Sequence, residues 1–212
     1  MVKVKICGIT NVDDAIAAID FSADAIGFIF YQGSPRYVSP ESVRGIIKKL
    51  PPFITTVGVF VDEDSREVER IVRHASLDVV QLHGKEPPEA CRIHRRVIKA
   101  FRVRESGDLR DLSHYHVSAF LLDAHVPGVM GGSGETFNWN LAVDAKRQGR
   151  IILAGGLTPD NVRTAILQVR PYAVDVSSGV EMAKGRKDHG KMRLFIERVK
   201  EADEAMQPLE ST

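Results

Sequence analysis

The chain has 212 residues, of which 43% are hydrophobic and 27% charged, an ordinary globular balance that excludes disorder for its bulk and gives it the length to bury one sizeable core. With 29 Lys and Arg against 28 Asp and Glu the net charge is +1, so no broad field recruits nucleic acid or an anionic membrane, and any anion is bound locally. Two cysteines, Cys7 and Cys91, are too few for a disulfide framework and no apolar run approaches a membrane span, so the chain reads as cytoplasmic and reduced, with neither nucleic acid nor membrane as partner.

The first predicted element begins almost at residue 1. Residues 2–7 alternate around a β-branched core and lack the apolar h-region and cleavage site of a secretory signal. Further short apolar runs follow at 25–30, 54–61, 79–82, 98–103, 120–122, 151–154 and 173–176. The spacing averages about 26 residues, enough for a strand, a short loop and a helix of about three turns. Helix starts are signalled between them: Ser39 precedes Pro40 and Glu41, and Thr158 precedes Pro159 and Asp160, each a cap followed by proline at the first helical position. Asp62 is expected to cap the helix after the third strand, and Cys91 to pack within a helical pattern at 89–93 on the outside. Several strands are almost continuously apolar, as in a parallel sheet covered on both faces. Eight βα units without a hairpin signal predict an α/β fold, a single (β/α)8 TIM barrel with parallel strands over residues 1–205, and 206–212 as a polar tail. A doubly wound open sheet ranks second, because the first turn reads Cys7, Gly8, Ile9, Thr10, Asn11 where a dinucleotide binder places G-x-G-x-x-G.

In such a barrel the site lies at the C-terminal strand ends. In order these carry Cys7, Arg36, Asp62, His83, Arg102, Asp123, then Gly155 with Gly156, and last Asp175 with Ser177, Ser178 and Gly179. Alternation puts Lys3, Lys5 and Cys7 on one face of the first strand, so Cys7 faces the mouth. Gly155 and Gly156 let backbone N–H groups approach a ligand, and Ser177, Ser178 and Gly179 can open a short helix whose N-terminus attracts phosphate. The plainer alternative is a tight turn and a serine cap. Four glycines between 128 and 134 suit a lid over the site, 127–136, or a loop without function. Cys7 and Asp123 have acid–base geometry for a small substrate. A thiol near pKa ~8.5 and a carboxyl near ~3.9 are each mis-set for that work until the pocket couples them. Their alternatives are a buried structural cysteine and a loop-capping aspartate. Arg36 suits a carboxylate fork or a solvated loop. His83, Asp123 and Asp175 form a conceivable metal set, but their strand ends are widely spread, and no metal is expected.

With these residues in place, the chain closely resembles the phosphoribosylanthranilate isomerase family of tryptophan biosynthesis along nearly its whole length. The resemblance rests on Lys5-Ile6-Cys7-Gly8-Ile9-Thr10, on Gly27-Phe28-Ile29-Phe30 followed by Ser34-Pro35-Arg36-Tyr37-Val38, and on Val57-Gly58-Val59-Phe60. It continues through Val80-Gln81-Leu82-His83-Gly84, Leu122-Asp123-Ala124, Gly131-Gly132-Ser133-Gly134 and Ala154-Gly155-Gly156-Leu157 to Asp175-Val176-Ser177-Ser178-Gly179-Val180-Glu181 and Gly185-Arg186-Lys187-Asp188. Glu135 departs from it, since the family usually has Lys or a similar residue there. The resemblance implies an Amadori rearrangement of N-(5-phosphoribosyl)anthranilate to 1-(2-carboxyphenylamino)-1-deoxyribulose 5-phosphate, without metal or organic cofactor. It implies Asp123 as general acid on the ring oxygen, Cys7 as general base at C2′, Arg36 on the anthranilate carboxylate and Asp175 at the ribose hydroxyls. Gly155, Gly156, Ser177, Ser178 and Gly179 would hold the phosphate. A monomer or homodimer fits equally. The rival readings are a metal-dependent phosphosugar epimerase, which needs several converging ligands, and a non-catalytic phosphate-binding barrel, which has no use for a Cys and Asp pair.

Overall fold

The structure, a computed structural model, describes residues 1–123 and 139–206. Eight parallel strands, β1 (Lys3–Cys7), β2 (Ala25–Ile29), β3 (Thr55–Phe60), β4 (Val79–Leu82), β5 (Arg96–Arg102), β6 (Ala119–Asp123), β7 (Ile151–Ala154) and β8 (Ala173–Val176), form a closed barrel in chain order. Closure is made by β1 on β8, with Lys5 opposite Asp175 and Ile6 opposite Val176. Every strand lies within two residues of its expected place.

The two-residue period sorts side chains to two cores. Val57, Val79, Ile98, Ala100, Ala119, Leu121, Ile152, Ala154 and Ala173 fill the barrel. Their outward neighbours, among them Val4, Ile6, Phe28, Val80, Leu122 and Val174, join the cluster shared with the helices. The lumen is thus apolar through its middle, and its polar side chains gather where β1, β4, β6 and β8 end.

The helices are α1 (Val12–Asp20), α2 (Pro40–Ile47), α3 (Ser65–Ala75), α4 (Trp139–Ala145), α5 (Val162–Val169) and α6 (His189–Met206). Ser39 caps α2 as expected, accepting from Ser42 N–H with Pro40 at the first position. The α3 cap is Asp64, whose side chain accepts from Arg66 and Glu67 N–H. Asp62 is not a cap; it sits in a left-handed turn (φ 51°) and accepts from Lys85 N–H at 2.6 Å, tying the β3 and β4 loops together. Thr158 does not start α5 either. Asn161 folds its side chain back, accepting from Thr158 N–H at 2.8 Å and donating to the Gly156 carbonyl at 2.9 Å, so Thr158, Pro159 and Asp160 are spent in a turn and the helix opens at Val162.

Cys91 is buried as expected, but in a single 3-10 turn, Pro88–Cys91, where two prolines and a short connection leave no room for an α-helix. A second 3-10 segment, Ser106–His114, links β5 to β6. A hairpin that the sequence reading did not contain, β9 (Glu181–Ala183) with β10 (Arg186–Lys187), precedes α6. The carboxylate of Asp14 on α1 anchors it by accepting from Lys187 N–H at 2.9 Å. The expected lid at 127–136 and the end of the tail, 207–212, lie outside the described residues. Among the described residues no helix is long and apolar enough to cross a membrane.

Candidate active site

Cys7 ends β1 and Asp123 ends β6. All strands run parallel, so both stand on the same rim, and the closed strand order sets them across the mouth from one another. Beside Cys7 the lumen holds a buried ion pair: Lys5 Nζ donates to Asp175 Oδ1 at 2.7 Å, with 4% and 9% of the two side chains exposed. Burial pushes the Cys7 thiol up; the Lys5 ammonium pulls it back, and the net is upward. Burial likewise works against the Lys5 charge, but the Asp175 carboxylate and the Cys7 sulfur hold its pKa above the ordinary lysine value.

Across the mouth, Asp123 Oδ2 lies 3.3 Å from His83 Nε2, and His83 Nδ1 lies 2.9 Å from Gln81 Nε2. The imidazole of His83 thus bridges the Gln81 amide and the Asp123 carboxyl through its two ring nitrogens. The conceivable metal set is therefore divided: His83 turns to Asp123, Asp175 turns to Lys5, and among the described residues no three His, Cys, Asp or Glu side chains converge on one point.

Arg36 is neither solvated nor wholly free. Its Nε and Nη2 donate to Glu181 Oε1 and Oε2 at 2.7 and 2.6 Å, and Lys187 Nζ reaches the same carboxylate at 3.1 Å. Burial opposes ionisation of Glu181, but Arg36 and Lys187 outweigh it and hold the carboxyl below its ordinary range. Neither of the two bonds to Glu181 uses Nη1. The Nε edge is engaged in orienting the group.

The loops after β7 and β8 do meet. Gly155 and Gly156 take left-handed conformations (φ 81° and 64°), and a Cβ on Gly179 would strike the Leu157 carbonyl, so the two backbones are in contact. Ser177 is no cap: its side chain makes no capping bond, and among the described residues its buried hydroxyl has no hydrogen-bond partner. Ser178 opens the short 3-10 turn that follows.

A family model described as N-(5'phosphoribosyl)anthranilate (PRA) isomerase matches residues 4–198. The chain belongs to this family. Its relative from Geobacter sulfurreducens, N-(5'-phosphoribosyl)anthranilate isomerase, is 57% identical over 201 residues, covering 94% of this chain and 99% of that one. The phosphoribosyl anthranilate isomerase structure from Thermotoga maritima superimposes with a TM-score of 0.88 at 47% identity, covering 95% of this chain and all of that one. Another solved isomerase, 45% identical with a TM-score of 0.85 and 95% of this chain covered, holds reduced 1-(o-carboxyphenylamino)-1-deoxyribulose 5-phosphate.

Within this barrel, Lys5, Glu181 and Lys187 are the site neighbours to which sequence reasoning assigns no role. Lys5 carries a usable signal, because a lysine on the inward face of a barrel strand must find a buried partner. Glu181 and Lys187 carry none, since nothing local marks the hairpin that holds them.

Proposed function

We propose that Cys7 and Asp123 are the proton-transferring pair of the reaction, with Arg36 and the loops after β7 and β8 holding the two ends of the substrate. The chain is an isomerase of the aldose–ketose kind in tryptophan biosynthesis, acting on N-(5'-phosphoribosyl)anthranilate. One observation carries the residue assignment: a thiol and a carboxyl stand at facing ends of β1 and β6, on the same rim as Arg36 and the paired glycine and serine loops after β7 and β8.

In this reading the Asp123 carboxyl gives its proton to the ribose ring oxygen as the bond from that oxygen to C1′ breaks, and the anthranilate nitrogen lone pair forms the C1′=N bond. The Cys7 thiolate then takes the proton from C2′. The released pair becomes the C1′=C2′ bond while the C1′=N pair returns to nitrogen, leaving an enolamine. A proton leaves O2′, another arrives at C1′, and the ketone results. His83, hydrogen-bonded to Asp123, orients the acid. Arg36 offers its Nη1 edge to the anthranilate carboxylate, Asp175 stands where ribose hydroxyls would pass, and Gly155, Gly156, Ser177, Ser178 and Gly179 take the phosphate on backbone N–H groups and the unpaired Ser177 hydroxyl. Fixing both charged ends sets C2′ against the base and the ring oxygen against the acid, which is where positioning lowers the barrier. The unit works as a monomer or homodimer in the cytoplasm, a setting supported by the family's biosynthetic role, and the near-neutral charge supports a small-molecule substrate over nucleic acid.

The test is to generate the fluorescent substrate in situ and follow its loss. Cys7→Ala and Asp123→Asn are expected to fold as the parent does and to lower kcat at least ~100-fold each. Parental turnover in either folded variant removes that residue from the chemistry.

A further inference from the structure

Lys5 lies next to the proposed base, and the mechanism above gives it nothing to do. It sits two residues before Cys7 on the same face of β1, so its side chain runs up the lumen toward the sulfur. Gly27 faces Cys7 on β2. A Cβ there would lie 3.0 Å from Cys7 Sγ and 3.1 Å from both Cε and Nζ of Lys5, so sulfur and ammonium press against one bare α-carbon and share the space beside it. The Lys5 side chain is 4% exposed. One N–H goes to Asp175 at 2.7 Å, and the sulfur lies beside the ammonium over the same α-carbon.

We infer that Lys5 is a positioning residue for the thiolate of Cys7: clamped by Asp175 and packed on Gly27, its ammonium supplies the counter-charge when the sulfur ionises. The inference rests on the reading of Cys7 as the base, and it deepens that reading. The charge count around the sulfur supports it. Lys5 from β1, Lys187 from β10 and Arg36 from the loop after β2 are cationic, while Asp175 from β8 and Glu181 from β9 are anionic. Three cations against two carboxylates leave +1, and a thiolate brings the group to neutrality. Lys187 and Arg36 are already spent on Glu181, and Lys5 is the cation whose field acts most strongly on the sulfur. Burial alone disfavours a thiolate here, so without this ammonium the base would scarcely form.

The experiment titrates the thiolate by its ultraviolet absorbance in the full chain carrying Cys91→Ser, so that Cys7 is the one thiol, with the further Cys7→Ala variant as blank. Lys5→Gln keeps an amide that can donate to Asp175 and removes the charge. Its thiol midpoint is expected to rise by about one pH unit or more, a tenfold loss of thiolate at fixed pH, and the pH dependence of kcat/KM should move with it. Asp175→Asn frees the ammonium from its carboxylate and should move the midpoint down. A structural disturbance does not produce opposite signs, and the second variant carries the test if Lys5→Gln fails to fold. An unmoved midpoint in Lys5→Gln, or displacement of both variants in one direction, overturns the inference. Retained turnover in Cys7→Ala would overturn the base assignment alone, because the midpoints still report on the pairing of Lys5 with the sulfur.

Discussion

Arg36 can offer only part of its guanidinium to a substrate, and that decides what its removal should do. The Nε edge is locked in a charged fork on Glu181, so the Nη1 edge arrives pre-oriented, with little side-chain entropy left to lose. Hydrogen bonds to charged groups contribute about 1.5–3 kcal/mol, so Arg36→Met should raise KM roughly 10- to 100-fold while kcat changes little, the pattern for lost uniform binding. Glu181→Gln keeps one bond to Arg36 and loosens its aim, so its KM should rise less than that of Arg36→Met. Steady-state kinetics with both variants checks the order, and a parental KM in Arg36→Met would place the carboxylate elsewhere. The thiol leaves a mark on the pH profile. A base must be deprotonated to act, and burial lifts the Cys7 thiol above its ordinary value. The rate constant kcat/KM should therefore keep rising with pH past the ordinary thiol pKa, and fall as pH drops below the raised one. A limb centred at or below the ordinary value would show that the base is another group.

At the scale of elements, the connection from β4 to β5 has the least regular structure of the described crossovers, and a buried ion pair takes the place of helix packing. Lys99 Nζ donates to Glu86 Oε2 at 2.7 Å and to the Gly84 carbonyl at 2.8 Å, with 2% and 3% of the two side chains exposed. Glu86 in turn accepts from the N–H groups of Asp62 and Gly84, so one carboxylate pins the loops after β3 and β4, the second of which begins at His83. Lys99→Met would leave that carboxylate buried and unpaired, at a cost of about 3–5 kcal/mol. An apolar replacement of both partners would not restore stability, because the two N–H groups would lose their acceptor. Denaturant unfolding measures the loss, and a change within 1 kcal/mol in Lys99→Met would show that the pair is incidental. This pair also marks where sequence reading stops. The strands are legible because a run such as residues 151–154 is apolar on both faces, and α2 is legible because Ser39 and Pro40 act within one turn. Cys7 and Asp123 are legible as site candidates because each ends such a run. Lys5 and Asp175 are 170 residues apart along the chain, and Arg36 and Glu181 are 145 apart, so no local pattern joins either pair. The two-residue strand β10 is too short to alternate.

For the whole molecule, the barrel has two kinds of fastening, one permanent and one supplied by ligand. Its ends are tied by β1 on β8 and by Asp203 of α6, whose carboxylate accepts from Val2 N–H at 2.9 and 2.7 Å. At the rim the loop after β2 is joined to the segment after β8 by the fork of Arg36 on Glu181, and a substrate gripped by Arg36 and by the glycines and serines after β7 and β8 would add a second link. A ligand that binds only the native state adds stability by mass action, about 2.7 kcal/mol at a hundredfold excess over Kd. For a chain of this length each kcal/mol moves Tm by about 2–4 °C, so a saturating product analogue should raise it by roughly 5–11 °C. Ribulose 5-phosphate, which keeps sugar and phosphate but lacks the anthranilate, should give a smaller shift at equal concentration. In Arg36→Met the analogue's shift should fall toward that of ribulose 5-phosphate, whose own shift should not change. Thermal unfolding of parent and variant with each ligand separates the two grips. A full analogue shift in the variant would remove Arg36 from recognition, whereas loss of both shifts would mean that Arg36 supports the phosphate loops, which it approaches through Ser177 and Gly8.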